Sequence, residues 1–156
     1  MGGVIVFKFN PKFDLLQSKE MELRIIEKFP GNDVLIPFYY YDIYREGRQI
    51  GKISVRIGDN YHSYFNGHIG YEINETDRGH HYSLAALEMV LPVAQFHQMN
   101  RLYLTCSVSN MASRRIIELS GAKYIETAKV PTNYFGWYNG IEDQYIYKLD
   151  IRCLPN

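Results

Sequence analysis

A mixed α+β fold, with a mostly antiparallel sheet of six to seven strands and two main helices packed on it, is the class this sequence predicts. Two hairpin-like segments, Phe38 to Arg45 and Gln49 to Ile57, are rich in aromatic and β-branched residues and flank a tight turn at Glu46-Gly47-Arg48. The apolar spacing then changes to a helical one over Leu84 to Met99. The resulting order is strands, helix, strand, helix, strands, and an antiparallel mixed sheet carrying two helices satisfies it.

Taken in order, Val4 to Phe9 can form a short strand, and Met21 to Phe29 alternates apolar and charged residues as a strand does. Pro30-Gly31-Asn32-Asp33 is a turn, and Gly58-Asp59-Asn60 ends the second hairpin strand. His68 to Asn74 is a further short strand. In the helix that follows, Leu84, Leu87, Leu91 and Ala94 share one face, which Ala85, Met89 and Phe96 widen. Pro92 lies inside it, where a missing backbone donor predicts a kink. Arg101 to Ser107 is a strand. Ser109 or Asn110 can cap a second helix, Ala112 to Ser120, and Gly121 can terminate it. Ala122 to Val130 and Ile141 to Leu149 are two closing strands joined by an aromatic loop, Pro131 to Gly140.

With 156 residues the chain fits one domain, spanning 1–156. Lys+Arg and Asp+Glu each total 17, so no excess of positive charge draws it to nucleic acid. No apolar run is long enough to span a membrane. The start has no charged n-region and no residue pattern for myristoylation. Two cysteines without a CxxC suit a reducing cytoplasm better than a disulfide framework, and Cys106 reads as a buried structural thiol. Exposed edge strands allow a homodimer. The 14 tyrosines suit a pocket that is half apolar and half wet, although strand packing accounts for most of them.

Several motifs fail on inspection. Gly47-Arg48-Gln49-Ile50-Gly51-Lys52 is one residue short of a phosphate-binding P-loop, is followed by Ile53, and sits in a hairpin. There is no GxGxxG and no GxSxG elbow. His80 and His81 are adjacent and point apart, so they do not share a metal, and no other histidine has ligand spacing with them. What survives is the strand–loop–helix stretch from His68 to Ala86. Its loop supplies orphan N–H groups at a helix N-terminus, which favours phosphate, although an ordinary helix start has the same appearance.

The stretch GHIGYEINETDRGHHYSLAAL, followed by LYLTCSVSNMASRRIIELSGAKYIE, resembles the GNAT N-acetyltransferases, in particular the branch that acetylates protein N-termini, small amines and antibiotics. The first family signature, Arg/Gln-x-x-Gly-x-Gly/Ala, falls on Arg78 to Ser83, with His81 in place of the first glycine and Ser83 in place of the second small residue. The second, Asn-x-x-Ser before a helix ending in glycine, falls on Asn110, Ser113 and Gly121. The resemblance covers Phe38 to Leu149.

It implies acetyl-coenzyme A (coenzyme A) as cofactor, and a splay between the strand ending at Asn74 and that of Arg101 to Ser107. It assigns the pyrophosphate to the loop around Arg78, Gly79, His80, His81, Tyr82, Ser83 and Leu84, through backbone N–H groups. His81 suits this cradle if its φ is negative and its side chain points outward. Ile73 and Asn74 should border the pantetheine arm, Asn110 should bond to it, and Ser113 should cap the helix or touch the cofactor. Arg114 or Arg115 is placed to reach the adenosine 3′-phosphate. An amine acceptor titrates near ~8 for an α-amine and ~10.4 for a lysine and must lose a proton to react. Glu72, on the strand face opposite Tyr71 and Ile73, is the candidate base. The tyrosine that many members carry in the second helix is replaced by Ile117, so Tyr124, or Tyr134 and Tyr138 in the loop, can stand in as the acid, or no dedicated acid is needed, a thiol of pKa near ~8.5 being a fair leaving group. Tyr39 and Tyr41 from the first hairpin, with Tyr134, Trp137 and Tyr138 from the aromatic loop, should line a pocket for a small-molecule or peptide amine. A non-catalytic acyl-coenzyme A-binding domain of the same fold is the alternative.

Overall fold

The structure, a computed structural model, describes residues 6–153. Val4 and Ile5 of the first expected strand lie outside that range, and 6–9 are not in a strand. The first ordered elements are a 3-10 turn at Pro11–Phe13, where the Asn10 side chain accepts the Lys12 N–H at 3.0 Å, and a short strand β1, Leu15–Gln17. The following strands are β2, Glu22–Phe29; β3, Phe38–Arg45; β4, Arg48–Arg56; and β5, Ile69–Ile73. A single helical turn α1, Ser63–Asn66, precedes β5. Helix α2, Tyr82–Phe96, strand β6, Arg101–Ser107, helix α3, Met111–Leu119, and strands β7, Lys123–Ala128, and β8, Gln144–Asp150, complete the order.

There are thus eight strands among the described residues, more than the six to seven expected, and they form two sheets. One has the order β1-β2-β3-β4-β5 and the other β6-β8-β7. All pairings are antiparallel. Residues two apart on a strand share a face, so the register fixes two different surfaces. Tyr41, Ile53 and Tyr71 stand in one row toward the helices. Asp42, Lys52 and Glu72 stand in the next row, on the other face, as do Tyr40, Ser54 and Gly70.

The core lies between the five-stranded sheet and α2. Tyr39, Tyr41, Ile43, Ile53 and Val55 are fully buried against Leu87, Val90, Val93 and Ala94. Leu84 is only half-buried, and Phe96, expected on the apolar face, is 47% exposed at the helix end. Pro92 lies on the solvent side and α2 continues past it to Phe96. None of the helices in the described residues is long and apolar enough to cross a membrane.

The two sheets meet at an apex and then part. The His68 N–H donates to the Tyr103 carbonyl at 2.8 Å, and the Tyr103 N–H returns to His68 Nδ1 at 2.9 Å. Beyond that point no backbone hydrogen bond joins β5 to β6 among the described residues. His68 is completely buried, and its Nε2–H donates to the Gly58 carbonyl at 2.9 Å, which fixes the tautomer.

Candidate active site

The open side of the splay is closed by the N-termini of two helices. β5 runs into a 3-10 turn, Glu75–Asp77, and the chain then reverses through Gly79 at φ +91 and His81 at φ +59. The negative φ expected of His81 is therefore not found. Its left-handed backbone is the conformation a glycine would adopt freely, and histidine is among the residues that tolerate it best. Its side chain is exposed, so the imidazole does not fill the loop. Among the described residues, the N–H groups of Gly79, His80, His81, Tyr82 and Ser83 have no acceptor. The Leu84 and Ala85 N–H groups both donate to the His81 carbonyl, at 3.1 and 3.2 Å, so Leu84 has no free amide to offer.

A cleft of about 520 Å³ opens onto these amides. On one side it is lined by Tyr71, Glu72 and Ile73 of β5 and by Asp77, Arg78 and Gly79. His81, Tyr82 and Ser83 form the α2 side, and Asn110, Ala112, Ser113, Arg115 and Ile116 form the α3 side. Both helix N-termini direct their positive ends at the same space, a favourable setting for an anion. The Arg78 side chain folds back, its Nε–H donating to the Ile73 carbonyl at 3.0 Å. The buried Asp77 carboxylate is clamped by Arg48 through bonds of 2.9 and 2.6 Å, which hold its pKa below the usual carboxylate range.

Some expected contacts lie elsewhere. Asn74 donates from Nδ2 to the Gln49 carbonyl at 3.1 Å and faces away from the cleft. The His80 ring stacks on that of Tyr82, with centroids 5.1 Å apart. Arg114 points to the far side of α3, where its Nε–H donates to Tyr147 Oη at 3.0 Å and its guanidinium lies 3.8 Å over the Tyr145 ring. Its neighbour Arg115, one helical step round, lines the cleft instead. Asn110 Oδ1 accepts the Ser113 N–H at 3.1 Å, the N-cap arrangement, which leaves its Nδ2 group unengaged among the described residues.

A second cleft, of about 350 Å³, lies on the opposite face of the five-stranded sheet. It is lined by Glu27, Phe38, Tyr40, Lys52, Ser54 and Arg56, together with Gly70, Tyr71 and Glu72. Tyr71 and Glu72 border both clefts and mark their junction. Tyr39 and Tyr41 do not take part. They occupy the core face of β3, where Tyr39 Oη accepts the Asn10 N–H at 3.0 Å and pairs with His97 Nε2 at 2.8 Å, and the Tyr41 hydroxyl donates to the Phe13 carbonyl at 2.7 Å. Their neighbours Phe38 and Tyr40, one position along, face this cleft. In the aromatic loop, Tyr134, Trp137 and Tyr138 line neither cleft: the Tyr134 hydroxyl donates to Asn66 Oδ1 at 3.2 Å beside Arg56, and Trp137 and Tyr138 are 38% and 60% exposed.

Tyr124 is not a candidate acid in this geometry. It stands on β7, half exposed, with its hydroxyl 2.7 Å from Thr127 Oγ1 and its ring against Tyr145 and Tyr147, outside both clefts. The Tyr71 hydroxyl, which the sequence did not single out, stands at the junction of the two clefts instead. It lies 2.8 Å from Ser113 Oγ, and burial pushes its pKa upward. Burial also pushes the nearby Cys106 thiol up to about 11, so it stays a thiol. The period-2 rule applied to β5 could have shown that Tyr71 crosses the splay, but nothing in the sequence places Ser113 opposite it.

Residues 8–123 match the family model of the acetyltransferase (GNAT) domain. The chain belongs to the GNAT acetyltransferase family. It is accordingly an acetyl-coenzyme A-dependent N-acetyltransferase. Solved structures have the same fold at low identity. The ribosomal L7/L12 alpha-N-protein acetyltransferase RimL in its apo form is 16% identical, with a TM-score of 0.66 over 88% of this chain and 98% of that one. A putative ribosomal-protein-serine acetyltransferase from Vibrio cholerae is 14% identical, with a TM-score of 0.62 over 87% of this chain and 97% of that one. The microcin C7 self-immunity acetyltransferase MccE, in complex with acetyl-CoA and AMP, is 20% identical, with a TM-score of 0.54 over 72% of this chain and 61% of that one. No curated protein matches the sequence. The GNAT cofactor suits the residues present: unpaired amides at the start of a 15-residue helix are the donor set a pyrophosphate needs.

Proposed function

We propose that this GNAT chain acetylates a primary amine of a small molecule or peptide, with Glu72 as base and Tyr71 as proton donor, in a single domain spanning 1–156. The observation that carries this reading is that Tyr71 and Glu72 belong to both clefts at once. Gly79, His81, Tyr82 and Ser83 would hold the pyrophosphate of acetyl-coenzyme A by their amides, with Arg115 beside a further phosphate, and the thioester it supplies would lie along β5. Glu72, exposed at the junction, takes the proton of an ammonium group so that the nitrogen regains its lone pair. The Tyr71 hydroxyl, kept protonated by burial, holds a proton where a departing thiolate would need one. The exposed edge of β7 supports a homodimer, and two cysteines without a disulfide support a cytoplasmic setting.

Glu72→Gln tests the base. The turnover number for a reactive amine should fall by about 100-fold or more, while the calorimetric affinity for acetyl-coenzyme A stays within about twofold of the parent. An unchanged rate would remove Glu72 from the chemistry, and failure of the parent protein to bind acetyl-coenzyme A would remove the cradle.

A further inference from the structure

The second cleft contains a guanidinium, that of Arg56, with no ion-pair partner among the described residues. The Arg56 guanidinium donates from Nη1 to the Asn66 carbonyl at 3.1 Å and the Gly67 carbonyl at 3.0 Å. No carboxylate lies within ion-pairing distance of it among the described residues. Its Nη2 lies over Gly70, where a Cβ would come within 2.7 Å. The bare glycine therefore makes room for the guanidinium on the face that carries Glu72. Burial disfavours the charge of Arg56, so leaving it without a counter-charge is costly.

The other charged groups in this cleft are Glu27, Lys52 and Glu72. Lys52 stands directly opposite Glu72 on β4, with its ammonium 5.9 Å from the Tyr40 ring centre. Gly70 and Glu72 are two residues apart on β5, a separation of roughly 7 Å. Groups set that close along one strand suit an amine and a carboxylate a few bonds apart on one small molecule, each hydrogen-bonded to its own partner.

We infer that the acceptor is an α-amino-acid-like amine, its carboxylate held by Arg56 over Gly70 and its ammonium group by Glu72. This rests on the proposed role of Glu72. A planar guanidinium with Nη2 facing the cleft recognises a carboxylate by charge-assisted bonds that a neutral amide cannot match.

The test compares the twenty free amino acids with their carboxamides as acceptors for the 156-residue chain and acetyl-coenzyme A. At neutral pH more of a carboxamide's amine is unprotonated, so a preference for the acid cannot come from amine reactivity. The best acids should exceed their carboxamides by about tenfold or more in kcat/KM. Arg56→Gln should erase that ratio while leaving acetyl-coenzyme A binding by calorimetry unchanged. Should Arg56→Gln fail to fold, Gly70→Ala carries the test, because its methyl group displaces the guanidinium and should also collapse the ratio. Equal use of carboxamides, a preference that survives both substitutions, or faster acetylation of a serine-initiated peptide overturns the inference and leaves the Glu72 reading standing. Absence of turnover with every amine, with acetyl-coenzyme A still bound, overturns both.

Discussion

His81 shows how one residue can meet a backbone demand for which it is not the best choice. It adopts φ +59 at the start of α2 and thereby frees the amides before it. A left-handed backbone costs a side-chain-bearing residue about 1–2 kcal/mol, whereas glycine loses about 0.5–1 kcal/mol through its greater freedom when unfolded. His81→Gly should therefore leave stability unchanged or raise it by up to about 1.5 kcal/mol. His81→Val, with a β-branched side chain that resists this region, should destabilise by about 1–2 kcal/mol. Urea denaturation of the two variants separates these outcomes. The position of the loop was legible in the sequence because Arg78, Gly79 and the following helix are local features. The sign of φ at His81 was not, because it is set by how β5 and α2 are joined in space.

Among the elements, α3 separates two roles that a single asparagine can hide. Asn110 Oδ1 is used by the Ser113 N–H, so only its amide nitrogen is left for a ligand. Asn110→Ala should cost about 1 kcal/mol in urea denaturation through loss of the cap. Asn110→Asp should keep the cap, and so the stability, while weakening acetyl-coenzyme A binding by calorimetry, because the donor is gone and a charge has been added. Equal binding by the aspartate variant would make Asn110 a cap alone. The strand segments were read almost residue for residue at β3 and β6, where alternation is strong. Which of the two faces is the core was not readable from that alternation. Tyr39 and Tyr41 satisfy their hydroxyls inside the protein, so polarity did not mark them as internal, and the expected pocket was displaced by one residue onto Phe38 and Tyr40. Arg114 and Arg115 differ in the same way, by one step around a helix.

Across the whole molecule, the two sheets hold together at the His68–Tyr103 apex, and that joint titrates. Burial keeps the His68 pKa below its usual 6.5, with the Gly58 carbonyl, Asp59 at 3.2 Å and Arg101, itself paired with Asp59, as its polar surroundings. The unfolded chain therefore takes up a proton at a higher pH than the folded one. The stability contributed by neutral His68 is fully present above about pH 6.5 and declines as the pH falls below it. His97, whose pKa burial also lowers, acts in the same direction. Urea midpoints measured from pH 8 to 5 should fall on the acid side, and His68→Gln should flatten that slope. The apex was not legible in the sequence, because a lone histidine before a strand gives no sign of the strand 35 residues later to which it is bound. The two clefts that the parted sheets leave lie on opposite faces and share Tyr71 and Glu72. In the proposed reaction donor and acceptor each have their own door, so neither has to wait for the other to enter or leave. The acetyl group can pass from one to the other at the sheet edge without ever being stored on the protein.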